Sequence, residues 1–283
     1  MSDRKAGSVG IIGVGMVGTR FSQKLLDAGW PLTVFDIDPE KLRAAAELGA
    51  QPASSAREVT ERSDAVLLCL PGSPPVEEAM NGPDGILAAV TDRHIIIDTG
   101  TTRPATDIEY AAKVRERDGR MVDAPITGRA PGYIIMVGGS EEDFREAEPV
   151  LQVVGYKVCH VGPLGHGQRL KLVNQLILAG RLSVFCEAVS LARELGLDPE
   201  QIVSVLEFDD AKRLLARRFS VPGSQLLALH TKDLEYLSEL IEDDDLYAPL
   251  TKIVTEIFQE TRGRGERDWA QASVLTHWER GSR

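Results

Sequence analysis

The chain is poor in several residue types, and each shortage excludes something. Of its 283 residues only three are cysteine (Cys69, Cys159, Cys186) and five are histidine. The cysteines are far apart, odd in number and each set in an apolar segment. They read as buried free thiols in a reducing cytoplasm, not as a disulfide framework. No Cys or His cluster has metal-ligand spacing, so no metal site is expected. Basic residues are outnumbered, with 32 Lys and Arg against 43 Asp and Glu and a net charge of −11. That balance argues against nucleic acid or an anionic membrane as partner. Uninterrupted apolar runs stop short of the roughly 20 residues of a membrane span. The start, MSDRKAGSVGIIG, carries no separate apolar segment of the signal-peptide kind. There is no internal repeat and no low-complexity linker. What remains is a cytoplasmic protein with a small-molecule partner.

Hydrophobic residues make up 43% of the chain. That suffices for a well-buried core, and the length suits two domains. Ser8 to Ile12 reads as a buried parallel strand. Directly after it stand Gly13, Gly15 and Gly18 in G-x-G-x-x-G spacing, with Met16 and Val17 between the last two. A helical pattern (Thr19 to Ala28), closed by Gly29, leads to a second strand, Pro31 to Phe35, and then Asp36. This is the dinucleotide-binding fingerprint in its required context. Gly13 permits the tight turn, Gly15 lets the backbone approach a pyrophosphate, and Gly18 lets the helix pack close. The phosphates face unpaired N–H groups at the helix start. Asp38, followed by Pro39, is the better cap for the next helix. Asp36 is thereby free to accept from the ribose hydroxyls. Its charge repels a 2′-phosphate, so NAD is expected over NADP.

Strands and helices go on alternating. Strands are expected at 65–70, 95–98, 121–123, 134–137 and 156–161, and helices at 40–48, 56–62, 105–117 and 141–151. This predicts an α/β fold, a Rossmann-type doubly wound parallel sheet. Ligands bind beyond the carboxyl ends of such strands, where Leu70, Pro71 and Thr101 stand. After Gly162 the signals are helical only. The stretch from Gly162 to Leu195 opens with three glycines and continues without proline, apolar on more than one face. It predicts a long interdomain helix buried on several sides. Lys171, Asn174 and Gln175 share one of its faces. Further helices are expected at 199–206, 226–241, 250–261 and 269–278, with a basic stretch Lys212 to Arg218 and a solvated acidic run Glu242 to Asp245 between them. The expected organisation is 1–162 for cofactor, 163–195 as joining helix, and 196–283 as an all-α substrate and oligomerisation domain.

Four motifs in order resemble the β-hydroxyacid dehydrogenase family, which includes 3-hydroxyisobutyrate dehydrogenase and tartronate semialdehyde reductase. They are GIIGVGMVG with VFDID, the segment Met121 to Gly128 (MVDAPITG), the run Gly162 to Asn174, and Lys232-Asp233-Leu234. The resemblance covers nearly the whole chain. It implies a catalytic role for Lys171 and a substrate-holding role for Asn174. It implies substrate contacts for Thr127 and Gly128, with Arg129 beside them, and cofactor contacts for Leu70, Pro71, Thr101 and Lys232. It also implies a homodimer or homotetramer. The chain departs from the family on the substrate side. Arg129 replaces a usual glycine, and the segments near 129–132 and 207–225 look abbreviated.

The residues permit hydride transfer coupled to proton transfer. Burial and a nearby cationic ring both favour a neutral lysine. Lys171 can then take the proton of a substrate hydroxyl, or return it to a carbonyl. Asn174 orients that oxygen, and Thr127 and Gly128 anchor a carboxylate. Arg129 reads more simply as a surface charge, Gln175 as a structural amide and His166 as a turn residue. Two other functions keep the same fold: an imine reductase, against which Lys171 argues, and a non-catalytic NAD-binding assembly module.

Overall fold

The computed structural model describes residues 7–129, 132–205, 226–265 and 270–278. The chain forms two compact units, Met1–Lys171 and Leu172–Arg283. The division falls inside the long helix, eight residues beyond the start of the expected joining segment at residue 163, taking Lys171 as the last residue of the first unit.

In the first unit, β1 (Val9–Ile12), α1 (Met16–Asp27), β2 (Leu32–Phe35), α2 (Pro39–Glu47), β3 (Gln51–Pro52), α3 (Ala56–Glu61) and β4 (Ala65–Leu68) follow one another. Then come α4 (Ser73–Met80), β5 (Ile95–Asp98), α5 (Pro104–Arg115), β6 (Arg120–Asp123), β7 (Ile126–Arg129), β8 (Gly132–Gly138), α6 (Glu141–Val154) and β9 (Lys157–Gly162). One nine-stranded sheet runs β3-β2-β1-β4-β5-β6-β8-β7, with β9 paired to β8. Strands β1 to β6 are parallel. Their alternate residues feed two cores. Val9, Ile11, Leu67 and Ile97 pack with Phe21, Leu25 and Val150 on one face. Ile12, Val66, Leu68 and Ile96 pack with Val59, Met80 and Val114 on the other. Side chains alternate across a strand, so a strand with helices on both faces must be apolar throughout.

Two features depart from the sequence reading. The sheet is not parallel to its edge, because β8 runs against both β6 and β7. Only residues 130 and 131 separate β7 from β8, too few for a parallel crossover. Helix α4 carried no sequence signal, since Pro74 and Pro75 read as breakers. Both prolines sit in its first turn, where the N–H that proline lacks would be unpaired in any case.

The second unit is helical, as expected. It takes in most of α7 (His166–Glu194), then α8 (Glu200–Ser204), α9 (Leu226–Asp243), α10 (Pro249–Arg264) and a 3₁₀ helix, Gln271–His277. That last element replaces the α-helix expected at 269–278. Its core joins Ala179, Cys186 and Val189 to Leu227, Leu234, Phe258 and Val274. The basic stretch Lys212–Arg218, the whole of the abbreviated segment 207–225 and the Arg267–Trp269 run lie outside the described residues.

Helix α7 corrects two expectations. It is long and apolar enough to cross a membrane by length and composition, with a mean hydropathy of 1.4 over its best window. Lone charges such as Arg181 and Glu187 interrupt the apolar runs without lowering that average much. Core helices of water-soluble proteins pass the same test. Nor is α7 buried on several sides. Leu172, Ala179, Cys186 and Val189 are covered, while Val173, Ile177, Val184 and Leu191 are exposed, Val184 by 66%.

Candidate active site

Parallel pairing puts the carboxyl ends of β1, β2, β4, β5 and β6 along one edge of the sheet. Gly13 follows β1 with φ +93, a region that side chains disfavour. A Cβ on Gly18 would collide with the Gly13 carbonyl oxygen, so the helix packs directly on the turn. Gly15 is different. Its φ is an ordinary −70, and a Cβ there would meet nothing within 4 Å. The chain's own packing does not need a glycine at 15, and the open space beside it leaves room for a ligand to approach. No side chain caps α1, whereas Asp38, Ser55 and Ser140 cap α2, α3 and α6. The first N–H groups of α1 and its positive dipole end suit a pyrophosphate. Met16 is exposed at this start, and Val17 packs against the core.

Asp36 stands at the end of β2. Its Oδ2 accepts from the Val14 N–H at 2.8 Å and its Oδ1 from the Asp38 N–H at 2.9 Å. The carboxylate is thus aimed by the glycine turn, and each oxygen keeps acceptor capacity for a ribose hydroxyl. Asp38 caps α2 through the Glu40 N–H, as the sequence predicts. Leu70 and Gly100 crowd the same turn: a Cβ on Gly13 would meet Leu70, and one on Gly100 would meet the Leu70 carbonyl. Pro71 is exposed and Thr101 half-buried beside them. The residues present fit a nicotinamide dinucleotide.

The start of α7 is fixed from β6. Asp123 Oδ1 accepts from the Gly165 N–H and Oδ2 from the Gln168 N–H, each at 2.7 Å. Burial pushes the Asp123 carboxyl up to about 6, against the downward pull of those two N–H groups. Gly167 allows the approach, since a Cβ there would lie 2.7 Å from Asp123 Oδ2. One turn past Gln168 comes Lys171, only 9% exposed. His166 begins the helix.

Asn174, one turn further along α7, is half-buried in the second unit. Gln175 is buried and donates to Asp233 Oδ2. The other Asp233 oxygen lies 2.9 Å from Lys232 Nζ, which also sits over the Tyr236 ring. Gln175 is therefore the structural amide the sequence suggested. Thr127 and Gly128 lie on β7, opposite Ile134 and Tyr133. The Arg129 backbone pairs with Gly132, and its side chain lies outside the described residues.

Comparison with known proteins agrees with this geometry. A family described as the NAD binding domain of 6-phosphogluconate dehydrogenase matches residues 8–162. A second, the NAD-binding domain of NADP-dependent 3-hydroxyisobutyrate dehydrogenase, matches residues 165–278. The chain is 30% identical to 2-(hydroxymethyl)glutarate dehydrogenase of Eubacterium barkeri, over 97% of this chain and 96% of that one. It is 32% identical to 2-hydroxy-3-oxopropionate reductase of Escherichia coli, over 91% and 92%. Its fold is similar to that of Mycobacterium tuberculosis 3-hydroxyisobutyrate dehydrogenase with L-serine. There the TM-score is 0.87 at 26% identity, over 98% of this chain and 100% of that one. The chain belongs to the β-hydroxyacid dehydrogenase family.

This dehydrogenase binds NAD(P) and acts on CH–OH donors as an oxidoreductase. An imine reductase from Myxococcus stipitatus shares the fold alone, at 19% identity and a TM-score of 0.65. Two residues that fix the start of α7 escaped the sequence reading. Asp123 stood inside a quoted motif without a role, and Gln168 was not singled out. A glycine-rich helix start preceded by an acid at a strand end was the available signal. The separation of 42 positions from Asp123 to Gly165 hid the contact.

Proposed function

We propose that this dehydrogenase prefers NAD and transfers a hydride between it and a small β-hydroxyacid or the matching semialdehyde, with Lys171 exchanging the proton. The observation that carries the reading is the burial of Lys171. A lysine on an apolar helix ordinarily snorkels its ammonium to water; this one is held one turn from a helix start anchored by Asp123. Bound NAD supplies the hydride acceptor, or NADH the donor. Lys171 takes the proton of the substrate hydroxyl, or gives it back to the carbonyl. Asn174 orients that oxygen. The Thr127 hydroxyl and the Gly128 N–H anchor a carboxylate, with Arg129 flanking them. The names of the relatives support the substrate class, since each describes a carboxylate with an oxygen function on the carbon β to it.

The preference for NAD rests on Asp36, whose charge opposes a 2′-phosphate. Gly13, Gly15, Met16, Val17 and Gly18 form the phosphate turn, and Leu70, Pro71, Thr101 and Lys232 complete the cofactor residues. The exposed apolar stripe of α7 supports a homodimer or homotetramer. Three free thiols support a cytoplasmic location.

The test is turnover followed by NADH fluorescence across hydroxyacids, semialdehydes and cyclic imines. Hydroxyacids or semialdehydes are expected to turn over. Turnover of imines alone, or of nothing, refutes the reading and favours an imine reductase or a non-catalytic module. Lys171→Met is expected to abolish turnover while NADH still binds; a normally active variant would sink the mechanism. Asp36→Ala is expected to raise KM for NAD far more than for NADP, and equal effects would refute the ribose contact.

A further inference from the structure

Three fully buried carboxylates gather near the ends of β5 and β6: Asp98, Asp107 and Asp123. Asp123 anchors α7. The other two have no part in the reaction as described. Asp98 closes β5 and accepts from the Gly100 N–H at 2.9 Å. Asp107 lies in the first turn of α5. Between them stands the Thr102 hydroxyl, 3.0 Å from Asp98 Oδ2 and 2.9 Å from Asp107 Oδ2.

A hydroxyl has one hydrogen, and an ionised carboxylate can only accept. Thr102 donates to one acid, and the other must supply its own hydrogen. One of the pair is therefore protonated. Asp107 is that one. Burial, then the charges of Asp98 and Asp123, push its carboxyl well above the usual range, and it shares a hydrogen bond with Asp98. A place in the first turn of a helix favours an anion by a modest amount, which burial and two like charges outweigh.

Gln168 completes this cluster. Its Oε1 accepts from the Thr102 N–H at 3.2 Å. Its Nε2 donates to the Gly100 carbonyl at 3.2 Å and to Asp107 Oδ2 at 3.0 Å. Its own backbone N–H goes to Asp123. It precedes Lys171 by three residues, on the same helix face. Every one of these contacts lies within the first unit.

We propose that Gln168 is a positioning residue for the reaction, fixing the helical turn that bears Lys171 against the Gly100–Thr102 turn that bears Thr101. The Asp98–Asp107 pair is the anchor on which its amide is held. The proposal rests on the reading of Lys171 as the proton-exchanging group. It adds that the lysine and the cofactor-side turn are set by one side chain. An amide suits the task because it both donates and accepts, where glutamate would bring a further negative charge among three carboxyls.

The test compares Gln168→Met, which keeps the volume and loses the hydrogen bonds, with Lys171→Met in the same assay. Gln168→Met is expected to keep the parental circular dichroism and to lose about tenfold or more in kcat. Its kcat/KM pH profile is expected to move by roughly half a unit or more, a change that a merely structural residue would not cause. Asp107→Asn is neutral, but a single amide atom in the place of Oδ2 can serve Thr102 or Gln168 and not both, so it is expected to lose clearly less than Asp107→Leu, which repeats the tenfold loss. A folded Gln168→Met with parental kcat and pH profile overturns the proposal. So does an Asp107→Asn enzyme as impaired as Asp107→Leu. Should Gln168→Met fail to fold, the two Asp107 variants decide. Normal turnover by Lys171→Met would instead refute the reading of the lysine. Gln168 would then be judged by NADH affinity through the Thr101 turn, and parental affinity in Gln168→Met would overturn its positioning role too.

Discussion

Gly15 and Gly18 look alike in the sequence and answer to different demands. Gly18 is required by the fold, because a Cβ would strike the Gly13 carbonyl. Gly15 meets no packing demand, because its surroundings are open, and its proposed task is to admit the ligand. Gly15→Ala is therefore expected to melt at or slightly above the parental temperature, since alanine restricts the unfolded chain, while binding NADH at least tenfold more weakly. Gly18→Ala is expected to lose stability by about 1–3 kcal/mol, the scale of overpacking. Thermal melts and NADH titrations of both variants check this; parental affinity in Gly15→Ala would remove the pyrophosphate from that turn. At this scale the glycine turn was legible, because the fingerprint is a matter of spacing along the chain. Asp36 was assigned to ribose by elimination, once Pro39 marked Asp38 as the cap; Asp38 is that cap, and Asp36 accepts from the Val14 N–H of the glycine turn. Gln168 was not legible, because none of its side-chain partners lies within sixty residues of it.

Helix α7 begins where a strand-end carboxylate meets the N–H groups of Gly165, just before the helix, and Gln168, in its first turn. That cap has a pH signature. The Asp123 carboxyl is raised to about 6 in the folded chain from an ordinary 3.8. The native state thus holds this proton more tightly than the unfolded state. Its contribution to stability is complete below the unfolded value and is lost as pH rises through about 6, with a span on the order of 3 kcal/mol. Asp107, also raised, acts in the same direction. Asp123→Asn is expected to flatten the decline in unfolding free energy between roughly pH 4 and pH 6. Denaturant melts across that range measure it, and a variant whose slope matches the parent would refute the assignment. Among the elements, β1, β2, β4, β5, β6 and the long helices were readable from period and flanking glycines, while the two-residue β3 was too short to show a period. Helix α4 was hidden by two prolines placed where a helix tolerates them. Strand β7 was missed because a short polar hairpin arm such as Ile126–Arg129 has no apolar run of its own.

For the whole molecule the open question is what covers α7. Val173, Ile177, Val184 and Leu191 form an exposed apolar stripe, with Ile177 54% accessible. Stripes of this kind mark interaction surfaces, and a second copy of the chain is the proposed cover. Val184→Glu is expected to shift the protein towards monomer in light scattering, without loss of helix by circular dichroism. An unchanged mass would place the subunit contact elsewhere. The family, the alternation of strands and helices and the glycine turn could be read along the chain, because each depends on residues at short, fixed intervals. The antiparallel turn of the sheet edge, the Asp123 clamp on α7 and the shared proton of Asp98 and Asp107 could not. They depend on distances between residues far apart in sequence, and on burial strong enough to keep an acid neutral, and both arise only when the chain has folded.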